Sequence, residues 1–489
     1  MKIEINTYVI NQLNNSIMKS IITRDFRNLI LSTYPALSNN TVYWRLIQVL
    51  MFGLKDKDTG LPLLSYIGLA IIEHGFYRGY NIAYQKNYKG LTLLLDFQSK
   101  VMTPETFSWT DADFTEHRAR SAIVIFTPEI EERIQIELDL VLSPNYLNND
   151  LVYMISGLKY NKKTAKQMHN QLQEQVNMNN DRTATIEQKP LLDYLNNKIS
   201  VAQLSNIIRP NIAQAVLAIA TIEDSLKRNH QAAHLAAILE DPKPLYQPSI
   251  NGNTVRIFPA NMSILGLKRE IKKILCKGLY EFDLASSQLA IVSQTWDIPY
   301  IKDYLNNGNK IWLDLCVRLN IEYNSDNKDV LKQALYSLIF GMSKRNLLLN
   351  ISAAFGKVAT SRWITDPVIS LLFLHREKRM KEILEAGKLI TLYGKEVLIT
   401  GKTKQLKQEC LRSALAQEAQ SVEFYLMQPI LDLALTTNEF SIVLFQHDGC
   451  SIKFNDKSKQ QRWINRIITS VQQRADSLSI PTHLEMEIL

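Results

Sequence analysis

Residues Asn324–Leu348 read NSDNKDVLKQALYSLIFGMSKRNLL, and this stretch decides the fold. Ser325 or Asp326 can cap the first turn of a helix. Lys328, Lys332, Tyr336 and Phe340 then recur every four residues and share one slowly drifting helical face. Two ammonium groups followed by two aromatic rings suit a nucleoside triphosphate, with the cations meeting phosphates and a ring meeting base or sugar. Taken alone, the pattern is more often that of an amphipathic helix with a solvated basic rim and an aromatic core. The neighbouring segments decide between the two.

Upstream, YEFDLASSQLAIV sets Asp283 at the end of an apolar strand, followed by Ser286, Ser287 and Gln288. Downstream, SIVLFQHDGCSIKF sets Asp448 at the tip of an expected hairpin between two apolar strands. Either Asp alone is an ordinary turn or strand-end residue. The ordered set of strand Asp, Lys/Lys/Tyr/Phe-Gly helix and hairpin His-Asp is far more specific.

That set resembles motifs A, B and C of family A nucleic-acid polymerases, the bacterial DNA polymerase I type. The family's helix pattern is Arg-x-x-x-Lys-x-x-x-Phe-Gly-x-x-Tyr-Gly, often continuing Met-Ser. Lys328, Lys332, Tyr336, Phe340 and Gly341-Met342-Ser343 stand in the matching places. Flanking stretches resemble the family as well: Asn307-Gly308-Asn309-Lys310-Ile311, the turn Thr391-Leu392-Tyr393-Gly394-Lys395, and the run from Arg412 to Gln420-Ser421 with Ala416 in place of Asn. Asn253-Thr254-Val255-Arg256 sits where the family has Thr-Gly-Arg, and SLSIPTHLEMEIL resembles its closing strand.

The resemblance covers about residues 250–489 and implies an α+β, right-hand polymerase with palm, fingers and thumb, and an N-terminal α/β accessory domain. Residues 1–150, which mix helix and strand signals, read as that accessory domain, of unknown role, while the resemblance implies 151–250 as a helical thumb, 251–300 as palm with motif A, 301–390 as fingers with motif B, and 391–489 as palm with motif C. By resemblance Asp283, Asp448 and the Leu284 carbonyl hold two Mg²⁺ ions, for which Mn²⁺ can substitute. Lys332 is catalytic, and Lys328, Lys332, Tyr336, Phe340 and Gln288 meet the incoming nucleotide. Arg256, Arg412, Gln420 and His447 meet the nucleic acid. The implied partners are a DNA primer–template and deoxynucleoside triphosphates, with no membrane, for a monomer in the cytoplasm. The divergence and short length suggest a plasmid, phage or other mobile-element replication enzyme.

Four departures keep alternatives open. The family's motif A carries a Glu that blocks a ribose 2′-hydroxyl. Aligned without a gap that place holds Gln288, and aligned on Ser-Gln it holds Ala290, so no carboxylate stands there. Phe340 replaces a Tyr, Gly449 replaces the Glu that usually follows the motif C Asp, and Lys328 replaces an Arg that would grip phosphate bidentately. Ribonucleotides as substrates, a primase–polymerase or single-subunit RNA polymerase, and a non-catalytic nucleic-acid-binding protein of the same fold remain the alternatives.

Composition bounds the rest. The chain has 489 residues, 46% hydrophobic and 21% charged, which excludes a mainly disordered protein and provides for several domains. Residues 1–150 hold 14 basic and 16 acidic residues, so the net charge of +8 leaves +10 on residues 151–489, a weak pointer to a polyanionic partner. No apolar run is long enough to span a bilayer, and the first residues lack the pattern of a signal peptide. Cys276, Cys316, Cys410 and Cys450 lack metal-binding spacing and read as reduced structural thiols. His230 and His234 have i, i+4 spacing but no third ligand nearby, and read as helix residues. Asp111, Asp113 and Glu116 read as a polar loop rather than a metal cluster. Helix is expected from Ile5 to Leu31 and over Ala202–Ile208, Asn211–Leu226 and His230–Leu239, and strand at Leu91–Phe97 and Ser121–Phe126. Asp241-Pro242-Lys243-Pro244 marks a boundary.

Overall fold

A computed structural model describes residues 21–33, short pieces between 38 and 125, and residues 128–489 apart from 144, 250–253 and 402. The chain is α+β and mostly helical. It divides into two units, the first made of residues 1–177, 200–245 and 259–277, the second of residues 178–199, 246–258 and 278–489. Asp241-Pro242-Lys243-Pro244 lies just before one of these crossings. Among the described residues, no helix is long and apolar enough to cross a membrane.

In the first unit, strand Ile21–Thr23 pairs antiparallel with Leu151–Tyr153. Ile21, Val141, Tyr146, Leu151 and Ala236 form a buried cluster beneath it. Two carboxylates secure the short strand's outer amides: Ile21 N–H donates to Glu240 and Thr23 N–H to Glu137, which is 1% exposed. An unpaired buried amide would cost about 1–3 kcal/mol, so these acceptors hold the strand where few ladder bonds exist. The expected helix from Ile5 to Leu31 is therefore corrected in its described part: Ile21–Thr23 is strand and the helix is Arg24–Thr33, while residues 5–20 lie outside the described residues.

Strand Ser121–Ile125 forms as expected between Ile67–Gly68 and Asp96–Gln98. Residues 91–95 of the other expected strand lie outside the described residues. Asp111 and Asp113 do too, and Glu116 opens the short strand Glu116–Arg118. The two helices expected over Asn211–Leu226 and His230–Leu239 form as Ile212–Ala220 and Ser225–Glu240, with the break between them earlier than expected because Asp224 caps the second through the amides of Leu226 and Lys227. His230 and His234 lie on that second helix with ring centroids 6.1 Å apart. His234 is buried against Gly266 and bonded at 2.6 Å to the Ser263 carbonyl, the contacts of a packed core residue.

The second unit is built on a four-stranded antiparallel sheet. Its strands are β1 (Tyr280–Leu284), β4 (Phe440–Gln446), β5 (Gly449–Phe454) and β6 (Leu484–Ile488), in the order β4-β5-β1-β6. A small hairpin of β2 (Lys388–Ile390) and β3 (Glu396–Leu398) stands apart from it. Strand alternation buries Phe282 and Leu284 and turns Asp283 outward. The edge strand β4 is covered: the Ile442 amide donates to the Tyr194 hydroxyl and the Phe445 amide to the Tyr246 hydroxyl.

Eight helices of this unit are α1 (Ser287–Thr295), α2 (Pro299–Asn306), α3 (Ile311–Leu319), α4 (Ser325–Ile339), α5 (Lys344–Thr365), α6 (Pro367–Ala386), α7 (Lys404–Leu435) and α8 (Gln460–Ser477). Leu289, Leu315, Leu335, Leu338, Trp363, Leu372 and Leu415 belong to one buried cluster that ties α1, α3, α4, α5, α6 and α7 together. Each such side chain contributes about 1.5–3 kcal/mol when fully buried. Gly356, at φ 77° and ψ 174°, breaks α5 into two helical pieces. The four cysteines form no disulfide, as their spacing predicts.

Candidate active site

The helix α4 begins one or two residues earlier than expected: Asn324, rather than Ser325 or Asp326, caps it by accepting from the Asn327 amide. Leu331, Leu335, Leu338 and Ile339 face the core, while Lys328, Lys332, Tyr336 and Phe340 are half-buried along another face. The Lys332 ammonium stands 5.6 Å from the centroid of the Tyr336 ring, and Trp312 meets that ring edge-on at 6.2 Å. The helix ends at Ile339, and Gly341 turns the chain at φ 84°. Arg412 fills the space beside that turn, since a Cβ on Gly341 would lie 2.7 Å from its Cγ. Arg376, 4% exposed, donates to the carbonyls of Leu338 and Met342 and so closes the C-terminal end of the helix.

The two aspartates are neighbours on the sheet. Asp283 pairs in register with Gly449, the residue after Asp448, and the Leu284 amide donates to the Asp448 carbonyl at 2.9 Å. The His447–Asp448 turn joins β4 to β5, with His447 at φ 45°. Gly449 is required here by space: a Cβ at this position would stand 2.6 Å from Asp283 Oδ1 and 2.9 Å from the Phe282 carbonyl. At the start of α1, Ser286 takes a left-handed conformation at φ 49°, and Ser287 donates to Asp448 Oδ2 at 3.2 Å. The Tyr336 hydroxyl bonds to Ser287; burial, and then Asp448, Glu423 and Asp283, hold its phenol well above the ordinary tyrosine value.

Glu423, on α7, escaped the sequence reading. It is 1% exposed, and its carboxylate accepts both prongs of the Arg256 guanidinium at 2.9 Å and the Gln288 side-chain amide. Burial pushes its carboxyl up to about 7; Arg256 opposes that shift and Asp448 adds to it. One turn earlier on α7, Gln420 accepts from the Thr254 hydroxyl. His447 stacks edge-on to Phe258 at 5.1 Å, and burial, aided by Arg256, lowers its imidazole to about 3. The one available signal for Glu423 is a carboxylate flanked by apolar residues in the stretch SVEFYLM.

These contacts gather Asp283, Asp448, Gln288, Tyr336, Lys332, Arg256 and His447 around one site. Arg412 joins through Gly341 and Gln420 through Thr254. Lys328 lies one turn before Lys332 and Phe340 one turn after Tyr336. Two adjacent carboxylates, one facing outward, are hard oxygen donors suited to Mg²⁺ or Mn²⁺. The Gly449 backbone approach leaves room for no side chain between Asp283 and the turn that bears Asp448. Among the described residues, no group of three or more His, Cys, Asp or Glu is disposed to hold a metal, so a cation here would rely on this pair together with backbone, water or substrate oxygens.

No family model matches the chain. No curated protein matches it. Among solved structures, the POL domain of Pol1 from M. smegmatis, in complex with DNA primer-template and dNTP, is similar at TM-score 0.43 and 14% identity, over 73% of this chain and 72% of that one.

Proposed function

We propose that the chain is a template-directed DNA polymerase that joins a primer 3′-hydroxyl to the α-phosphorus of an incoming deoxynucleoside triphosphate. The observation that supports this reading is the pairing of Asp283 with Gly449, which brings the strand bearing Asp283 beside the turn bearing Asp448, where Ser287 bonds both Asp448 and the Tyr336 hydroxyl. In this reading residues 251–300 and 391–489 supply the palm, 301–390 the fingers, 151–250 the thumb, and 1–150 an accessory domain.

Asp283, Asp448 and the Leu284 carbonyl would hold two divalent cations, Mg²⁺ with Mn²⁺ as substitute. When bound, such a pair activates the attacking hydroxyl and stabilises the leaving pyrophosphate. The chain's own groups do the remainder. Lys332 and Lys328, on the half-buried face of α4, neutralise the triphosphate as negative charge builds on it. Tyr336 packs against the nucleotide, and the ammonium over its ring keeps that ring from rotating away. Phe340, placed by the Gly341 turn, borders the templating base. Arg412, Gln420 and His447, with Arg256 fixed by Glu423, contact the primer–template end through its shape and so tolerate any sequence.

Gln288, one of the two residues that stand where the resemblance expects the ribose-blocking Glu, is bonded to Glu423 and carries no charge of its own. This observation favours ribonucleotides as a second substrate class. The decisive experiment incubates the protein with Mg²⁺ and single-stranded DNA, with and without a primer, in separate deoxy- and ribonucleotide reactions, beside an Asp448→Ala control. Primer extension with deoxynucleotides supports the proposal. Unprimed products containing ribonucleotides move the chain to the primase–polymerase class, and no incorporation in any reaction overturns catalysis in favour of nucleic-acid binding.

A further inference from the structure

Glu423 is fully enclosed, yet its carboxylate is turned toward Arg256 and Gln288, and it joins no group of three acidic or histidine ligands among the described residues. A buried ion pair is weak as a device for stability, because desolvation offsets most of its Coulomb attraction. Its connections are more telling. Gln288 follows Ser287, and Ser287 donates to Asp448 Oδ2 at 3.2 Å while also bonding the Tyr336 hydroxyl. Fixing the Gln288 amide therefore fixes the first turn of α1, and through it one oxygen of Asp448. The same helix turn of α7 clamps the chain at Thr254 and Arg256 through Gln420 and Glu423.

Resting on the metal-dependent reaction proposed above, we infer that Glu423 is a positioning residue. Acting through Gln288 and Ser287, it orients the Asp448 carboxylate for a divalent cation. Its partners lie 167 and 135 residues away in sequence, so this buried carboxylate draws two distant parts of the unit onto the aspartate hairpin. Loss of partners that orient metal-binding side chains commonly weakens metal affinity by about 10–100-fold.

The test compares the full-length wild type with Glu423→Leu/Arg256→Met, which removes both charges and the acceptor of the Gln288 amide, and with Gln288→Leu, which keeps the ion pair but cuts the bond joining Glu423 to the first turn of α1. Melting temperature, Mn²⁺ affinity of the nucleic-acid-free protein by electron paramagnetic resonance, and the Mg²⁺ dependence of nucleotide incorporation are measured for each. Folded variants that bind Mn²⁺ about tenfold more weakly or worse, with a parallel rise in the Mg²⁺ needed for half-maximal rate, support the inference. Should the double variant fail to fold, Gln288→Leu carries the same expectation. A folded variant of either kind with wild-type Mn²⁺ affinity overturns it. A wild type that binds Mn²⁺ but incorporates no nucleotide overturns the proposed reaction, and the Mn²⁺ comparison then decides the role of Glu423 by itself. A wild type that binds no Mn²⁺ overturns both.

Discussion

Gly449 lies opposite Asp283 across the β1–β5 ladder, so near that a Cβ at 449 would stand 2.6 Å from the Asp283 Oδ1 and 2.9 Å from the Phe282 carbonyl. The carboxylate could swing aside, but the Phe282 carbonyl belongs to the sheet and cannot. Gly449→Ala is therefore expected to pry the two strands apart locally, at a cost of about 1–3 kcal/mol for overpacking, and to displace Asp283. Calorimetry should show the lowered melting temperature, and nucleotide incorporation should fall by at least about tenfold. Wild-type stability together with wild-type activity would refute this account of the glycine.

Asp283→Asn and Asp448→Asn keep the shape of each side chain and remove the charge that a divalent cation requires. Each is expected to reduce incorporation to below about 1% of wild type, while primer–template binding persists. Gel-shift and extension assays on the same preparations separate the two effects. Retained extension by either variant would remove that residue from the metal site.

Lys332→Ala removes an ammonium 5.6 Å from the Tyr336 ring centroid. The cation–π contact accounts for about 0.5–1 kcal/mol, so folding should survive. Steady-state kinetics should instead show a raised KM for nucleotide and a lowered kcat, with duplex affinity unchanged. A loss confined to duplex binding would place Lys332 on the nucleic acid instead of the triphosphate.

Arg376 holds the far end of the same helix. Its guanidinium donates to the carbonyls of Leu338 and Met342 and packs over Phe373 at 5.0 Å. Arg376→Met keeps much of the apolar stem but leaves those carbonyls without this donor, an expected cost of about 1–3 kcal/mol. Because Phe340 and Gly341 lie between the two carbonyls, incorporation should drop more steeply with temperature than in the wild type. Unchanged melting would show that other donors replace the guanidinium.

How far the sequence reveals this site depends on the reach of each interaction. The face bearing Lys328, Lys332, Tyr336 and Phe340 follows from helical periodicity, and the outward Asp283 from strand alternation between Phe282 and Leu284. Asp448 is legible because two apolar runs flank it. The cap of α4 lies one or two residues before the expected one because Asn324, Ser325 and Asp326 are all competent caps, and local chemistry does not rank them. Strand Ile21–Thr23 was read as helix because its partner, Leu151–Tyr153, is supplied by chain more than a hundred residues away. Glu423 was illegible for the same reason: a mid-helix Glu acquires meaning only when Arg256 and Gln288 arrive from distant segments.

His447 and Glu423 give the site opposite responses to pH. The His447 imidazole is lowered from its ordinary 6.5 to about 3, so the stability it contributes is present above about 6.5 and is lost as pH falls toward 3. The Glu423 carboxyl is raised from 4.5 to about 7, so its contribution is present below 4.5 and is lost as pH rises through 7. Between 4.5 and 6.5 the two oppose each other and flatten the stability profile. His447→Asn should expose the Glu423 response alone, since Asn accepts the left-handed backbone at φ 45° and does not titrate. Urea denaturation of that variant should then show stability, relative to wild type, improving steadily as pH is lowered from 6.5 to 4.5. A constant difference between the two proteins across that range would mean that His447 takes up its proton at the same pH folded as unfolded, and that burial beside Phe258 does not exclude its charge.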